Sequence, residues 1–464
     1  MILAEINWND LTDVLILKNN NTRNVILSVA LLGMISGLVG SFLLLRKRSL
    51  MGDALAHATL PGVGIAFAVM VTLGFSGKAL GGLWLGAIIA GILGVATMLL
   101  IVRTTKLTDD VAMGLVLSIF FGAGIAILSS VSRLPQASAA GLDDFIYGTT
   151  SSILRSDLYI ILVTASACGI VCITLIKEFT LLCFDENFGR TQGWPILKLD
   201  ILLLALVTIV TVTGLQAVGI ILMIALFIIP AAAARFWATS LKGMMLLACF
   251  LGLISGWIGG SISALFDKLP AGAVIVLVAG TIFIISMMIA PARGIIPRLY
   301  RRHQLNKKVG EQHILRAIYE LLEDDAREDA EIAEEVKRVK NQPISYQEVL
   351  DKRTWKKEEL NRLRRAAKRR GYLQAISGDN IRLTEEGFGK ASRITHNHRL
   401  WEIYLVTHAD IAPSHVDRDA DMIEHVLDAD LVDRLEEELK EQFDWIPPSL
   451  HQITNPANPK GEPV

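Results

Sequence analysis

The chain has 464 residues, is 52 % hydrophobic and 20 % charged, and carries a formal net charge of −1 with mean hydropathy +0.46. Apolar runs follow one another to about Ala290, and from Arg293 the sequence turns densely charged, with RRHQLNKK and EDDAREDAEIAEEVKR. That division excludes a single water-soluble globule, because the first part reads as bilayer-embedded and the second as water-soluble.

Cys168, Cys172, Cys183 and Cys249 sit in or beside apolar runs, without metal-ligand spacing or a disulfide pattern, and read as small buried hydrophobes. The opening segment MILAEINWNDLTDVLILKNN carries acids and has no basic n-region, so it is not expected to be a cleavable signal. A spanning helix needs roughly 20 mostly apolar residues. The sequence predicts nine, near 25–45, 55–76, 80–102, 111–131, 157–177, 199–215, 218–236, 243–260 and 271–291. The sixth and seventh share one apolar stretch, divided by GLQAVG (214–219) as a tight hairpin.

Basic residues beside the spans predict their orientation. Arg46, Lys47 and Arg48 follow the first span, Arg103 and Lys106 the third, and Lys177, Arg190 and Lys198 flank the loop after the fifth. Arg235 and Lys242 separate the seventh from the eighth, and Arg293, Arg298, Arg301 and Arg302 follow the ninth. The other side carries fewer: Lys18, Arg23, Lys78, Arg133, Arg155 and Lys268. This bias predicts an outside N-terminus and a cytoplasmic C-terminal half, in a multi-pass plasma or inner membrane protein.

At the start of the second span, Asp53 and His57 stand four residues apart, on one face of a helix. Asp53 could N-cap the helix with His57 hydrogen-bonded inside the bundle. Alternatively the two are half of a metal site, since ionisable residues at membrane depth mark function. Pro61 and Gly62, one turn on, break the helix as helices lining transport sites are often broken. Carboxylate plus imidazole suits Mn²⁺, Fe²⁺ or Zn²⁺. Asp109, Asp110, Asp143 and Asp144 read as solvated loop acids.

Between the fifth and sixth spans, CFDENFGRTQGWPIL (183–197) is polar and punctuated by Gly and Pro, either an ordinary loop or a short helix that docks on a partner protein. No G-x-x-x-x-G-K-[ST] occurs, so this chain is not expected to bind ATP through a P-loop or to act as an enzyme.

Four segments in order, GDALAHATLPGVGIAF, FDENFGRTQGWP, VGIILMIALFIIPAAAARFWA and LPAGAVIVL, resemble the permease subunits of ABC importers for manganese, zinc and iron over about residues 20–295. The resemblance implies a permease dimer (homo- or heterodimeric), separate ATPase subunits on the cytoplasmic face and an extracellular or periplasmic metal-binding protein that delivers cargo. It implies that Asp53 and His57 lie on the metal path. It also implies that Asp185, Glu186, Gly189, Gly193 and Pro195 belong to the helix that seats in the ATPase.

In the soluble half, EQHILRAIYELLED (311–324) predicts an amphipathic helix with Ile314, Leu315, Ile318 and Leu321 on its apolar face. A second helix is expected near 328–340. TWKKEELNRLRRAAKRRGYL (354–373) is a basic helix anchored by Leu360 and Leu363, followed by two short strands around a Gly-Asp-Asn turn. That order is a winged helix, in which Lys356, Lys357, Arg362, Arg365 and Arg369 are candidate nucleic-acid contacts. Such modules also serve protein contacts, and basic helices near a membrane meet anionic lipid, so DNA is the weaker candidate partner.

Further on, His398 and Glu402 are four apart, and Asp421, Glu424 and His425 fall at i, i+3 and i+4. They read either as an oxygen/nitrogen site for Mn²⁺ or Fe²⁺ or as acidic amphipathic helices with incidental histidines. Residues 308–445 resemble the iron- and manganese-dependent repressors of the diphtheria-toxin-repressor type. The resemblance makes His398, Glu402, Asp421, Glu424 and His425 regulatory ligands for Mn²⁺ or Fe²⁺. His313 stands where the first helix of that family supplies a methionine or aspartate. Asp421 leans towards manganese, whereas Arg316 occupies a place that is acidic in manganese-type members.

The expected architecture is therefore an all-α polytopic membrane domain of about nine transmembrane helices (1–300). A cytoplasmic winged-helix (α+β) domain (308–388), a helical metal-binding and dimerisation domain (389–445) and a Pro-rich tail (446–464) follow. The expected function is metal import with metal-sensing feedback. The rival expectations are a membrane-anchored metal-dependent DNA-binding regulator and a C-terminal half that only dimerises or docks.

Overall fold

The computed structural model describes residues 19–74, 80–131, 153–266, 269–326, 342–353, 355–376, 379–408 and 434. The helix expected at 328–340, the acids Asp143 and Asp144, the tail, and Asp421, Glu424 and His425 lie outside the described residues. The chain divides into two compact units, Met1–Arg298 and Leu299–Val464.

The first unit is helical: α1 (Asn20–Leu45), α2 (Met51–Ala58), α3 (Leu60–Thr72), α4 (Leu80–Thr104), α5 (Asp109–Val131) and α6 (Arg155–Thr174). Short helices α7 (Ile176–Phe184) and α8 (Glu186–Thr191) precede α9 (Ile196–Trp237), α10 (Leu241–Leu265), α11 (Ala271–Ile289) and α12 (Ile295–Ala326). Among the described residues, nine segments are long and apolar enough to cross a membrane, with α2 and α3 forming one and α9 two. Side chains such as Leu85, Val163, Ile170, Ile173, Ile221 and Leu246 point outward, the surface hydrocarbon would cover.

The division of α9 follows from one residue. Gly219 has φ 80 and ψ 170, a conformation glycine takes readily and other residues rarely do. The chain doubles back there: a Cβ on Gly214 would stand 2.1 Å from the Met223 sulfur, nine residues later.

Helices in lipid gain nothing from hydrophobic exclusion between them, so close packing of small residues holds them together. On α1, a Cβ at Gly33 would meet the Gly252 carbonyl oxygen of α10 at 2.3 Å, and one at Gly252 would meet the Gly33 oxygen at 2.1 Å. Gly37 meets Ala248 and Gly256 meets Val29, so α1 and α10 run antiparallel in backbone contact. Gly62 of α3 and Gly86 of α4 make the same reciprocal approach.

The second unit takes in α12 from Leu299, then β1 (Ile344–Ser345), α13 (Tyr346–Lys352), α14 (Lys357–Arg369), β2 (Leu373–Ala375), β3 (Asn380–Leu383) and α15 (Glu385–His408). The sheet order is β1-β3-β2, all antiparallel, with Ile344 opposite Ile381 and Leu373 opposite Leu383. This is the winged-helix order, with two differences from expectation. Helix α12 starts at Ile295 rather than near 311, because Gly310 is held against Leu363 rather than breaking it. The helix preceding α14 is α13, opened by a capping box in which Ser345 and Glu348 satisfy each other's backbone N–H groups. Its core joins Ile314, Leu315, Ile318 and Leu322 to Val349, Leu360, Ile381 and Leu383, with Leu321 and Leu363 half-buried at its edge.

Candidate metal path and regulatory cluster

Helix α1 ends where Lys47 takes φ 58, and the Arg48 N–H bonds the Leu43 carbonyl oxygen at 2.9 Å. A left-handed lysine costs roughly 1–2 kcal/mol. Here both neighbouring arginines reach buried partners. Arg46 donates to the Leu182 carbonyl at 2.9 Å, Glu186 at 3.0 Å and Asp200 at 2.9 Å. Arg48 grips Asp200 with one nitrogen at 2.9 and 3.0 Å, and donates to Asp109 at 2.5 Å. Burial works against the Arg48 charge, but Asp200 and Asp109 outweigh it and raise its pKa. The network ties α1 to α5, α8 and the first arm of α9. The sequence suggests only topology for the arginines and a solvated loop for Asp109, whereas Asp109 opens α5 and accepts from Arg48. The i, i+2 spacing of Arg46 and Arg48 beside a helix end was the only local signal for the network.

Helix α2 begins three residues after Arg48. Leu50 occupies the N-cap position without a side-chain bond, so Asp53 is not the cap but a first-turn residue. His57 Nε2 lies 3.3 Å from Asp53 Oδ1, with the two side chains 20 % and 27 % exposed. His57 Nδ1 is buried and has no hydrogen-bond partner among the described residues. An unsatisfied buried nitrogen costs about 1–3 kcal/mol, which makes this open atom a candidate ligand position. The Phe121 ring of α5 meets the imidazole edge-on at 4.8 Å between centroids. Helix α4 closes on the other side, where a Cβ on Gly94 would stand 2.8 Å from the Ala58 Cβ and one on Gly91 2.7 Å from the Thr208 methyl. Pro61, near the start of α3, has no N–H to give the His57 carbonyl, which instead accepts from the Thr59 N–H where α2 ends.

Asp185, Glu186, Gly189, Gly193 and Pro195 fall in one compact turn. Asp185 caps α8, its carboxylate accepting from the Phe188 N–H at 2.8 Å. Gly189 is buried where a Cβ would meet Ile196 at 2.6 Å. Gly193, with φ 79, ends α8 as the Trp194 N–H bonds the Gly189 carbonyl at 3.0 Å. Pro195 caps α9. Burial alone would raise the Glu186 carboxyl, but hydrogen bonds and charge from Arg46 and Arg190 outweigh it and hold it below its ordinary range. Phe184, Phe188 and Trp194 remain exposed around this turn.

In the second unit, His398 Nε2 lies 3.3 Å from Glu402 Oε1. Arg316 Nη1 lies 2.6 Å from His398 Nδ1, and its Nε donates to Glu320 at 2.7 Å. His313 is held separately, with Arg353 Nη1 at 2.5 Å from its Nδ1. Among the described residues no group of three or more His, Cys, Asp or Glu side chains is arranged to hold a metal ion. With an arginine against each imidazole, the described donors do not fit a regulatory ion as they stand. Lys356, Lys357, Arg362, Arg365 and Arg369 are exposed along α14, while Arg364 bonds Asp379 and stacks on Tyr346.

Comparison with known proteins extends this geometry. The model of the ABC 3 transport family matches residues 18–290, and that of the iron dependent repressor, metal binding and dimerisation domain matches residues 384–442. The chain is 35 % identical over 404 residues to the manganese transport system membrane protein MntC of Bacillus subtilis, covering 87 % of this chain and 88 % of that protein. It is 42 % identical over 284 residues to the zinc transport system membrane protein TroC of Treponema pallidum, covering 61 % and 94 %. Among solved structures, PsaBC from Streptococcus pneumoniae in complex with Fab matches with TM-score 0.53 and 31 % identity, over 62 % of this chain and 98 % of that one.

Proposed function

Because this chain belongs to the ABC 3 transport family, and is a multi-pass transport subunit rather than an enzyme, we propose that it is the permease of an ATP-driven importer of divalent transition metals. Mn²⁺ is the first candidate cargo, with Zn²⁺ and Fe²⁺ next, in keeping with relatives described as manganese and zinc transport proteins. The carrying observation is the buried, unpartnered His57 Nδ1 beside Asp53 at a broken helix. One carboxylate and one imidazole are few enough ligands to release the ion again, and they suit borderline divalent cations.

ATP hydrolysis belongs to a separate subunit in this reading. It seats on α8 and the exposed aromatic side chains around it, on the cytoplasmic side to which the basic residues assign this turn. A second permease chain completes the path, and an extracellular metal-binding protein delivers cargo. The C-terminal half, with domains near 308–388 and 389–445, is cytoplasmic and reports Mn²⁺ or Fe²⁺ to the permease through Asp421, Glu424 and His425.

The test is uptake of radiolabelled Mn²⁺ into proteoliposomes holding this chain, its ATPase and its binding protein. Asp53→Ala and His57→Ala are each expected to weaken uptake by at least the roughly 10–100-fold that disturbing even an outer-shell partner of a metal produces. Complex assembly and basal ATPase activity should persist. Unchanged uptake in both variants removes the pair from the path.

A further inference from the structure

His398 and Glu402 are among the residues that the repressor resemblance makes ligands of a regulatory ion, yet Arg316 already holds His398. A guanidinium has five N–H donors, no acceptor and a permanent charge. With Nη1 2.6 Å from His398 Nδ1, the imidazole must be the acceptor. That leaves the ring proton on Nε2, which lies 3.3 Å from Glu402 Oε1. A metal binds imidazole through a nitrogen lone pair. In this arrangement one nitrogen's lone pair faces a cation and the other nitrogen carries the proton.

The cluster is also closed to water. Arg316 and His398 are 2 % exposed and Glu402 is 0 % exposed. A buried carboxylate needs a counter-cation, and Arg316 supplies one charge to Glu402's surroundings while its Nε holds Glu320 at 2.7 Å. A divalent ion brought to the same place would meet that fixed positive charge at close range in a medium that screens it poorly.

We propose that Arg316 is the resident cation of the His398–Glu402–Glu320 cluster, so that this pocket takes no metal ion and Arg316 sets how many ions the regulatory unit holds. The inference rests on reading that unit as a metal sensor, and it leaves Asp421, Glu424 and His425 to carry the sensing.

The test uses the full-length chain in detergent, with Asp53→Ala and His57→Ala silencing the cargo site. Each variant is equilibrated with Mn²⁺ and its metal counted per chain, and Co²⁺ absorption reports imidazole ligation. Placing an acid at the arginine with Arg316→Glu should add about one Mn²⁺ per chain. A new Co²⁺ band should accompany it, and both should disappear when His398→Ala is added. His398→Ala alone should leave the parent's count unchanged. The proposal is overturned if His398→Ala alone lowers the count, or if a folded Arg316→Glu chain gains nothing. Should Arg316→Glu fail to fold, His398→Ala and Glu402→Gln in the parent decide alone, since loss of metal in either overturns it and an unchanged count supports it. Failure of the sensor reading is separate: it shows as a parent whose metal count does not fall with Asp421→Ala/His425→Ala.

Discussion

The Asp200 carboxylate accepts from both Arg46 and Arg48, and the three side chains are 9 %, 9 % and 8 % exposed. Removing one member of a buried ion cluster strands the others' charges, at a cost of about 3–5 kcal/mol. Asp200→Asn should therefore cost stability of that order, read as a lowered thermal midpoint of the detergent-solubilised chain, and an unshifted midpoint would show that water already solvates the arginines. Exchanging the pair for apolar residues, Arg48→Met with Asp200→Leu, should recover much of the lost stability. It should not recover uptake, because Arg46 would keep Glu186 of the docking turn but lose its tie to α9, and Arg48 its tie to α5. Full uptake in that double variant would mean the network only stabilises. Which carboxylates the two arginines meet is not legible locally, since Arg48 and Asp200 are 152 residues apart.

Among the elements, α1 and α10 meet with no room for a side chain between them. Gly252→Val would drive a side chain into the Gly33 backbone, where even a Cβ stands 2.1 Å from the carbonyl oxygen. The helices must part, with overpacking worth typically 1–3 kcal/mol and more where backbone is the obstacle. The expected outcome is a sharp loss of folded protein by fluorescence-detected size exclusion. Gly122→Val on α5, where a Cβ meets nothing within 4 Å, should be nearly silent. Equal effects at the two positions would show that helix propensity, not close approach, decides. The Gly219 reversal was legible as a hairpin because turn chemistry is local. The choice of which small residues face another helix was not, because it depends on the partner's register.

For the whole molecule, the division at Arg298 and Leu299 separates the unit that matches the transport family from the one that carries the iron dependent repressor match. Feedback requires metal on the second unit to bind differently in the permease's two transport states. Deleting residues beyond about 305 should leave Mn²⁺ uptake intact and abolish its inhibition by Mn²⁺ loaded inside the vesicle. Inhibition that survives the deletion would place the control in the membrane unit and end the feedback model.

What the amino-acid order determined by itself is what depends on short range: nine apolar runs of spanning length, the Asp53–His57 spacing, the Gly- and Pro-punctuated turn at 183–197 and the helix-and-strand order around a basic helix. Run length, periodicity and capping are properties of neighbours along the chain. Tertiary structure alone decided that Leu50 rather than Asp53 lies at the cap, that His57 Nδ1 is left open, that Asp200 gathers two arginines and that Arg316 closes on His398. Each of these is a matter of which charge is buried against which, and burial is created by segments that meet only after the chain has folded.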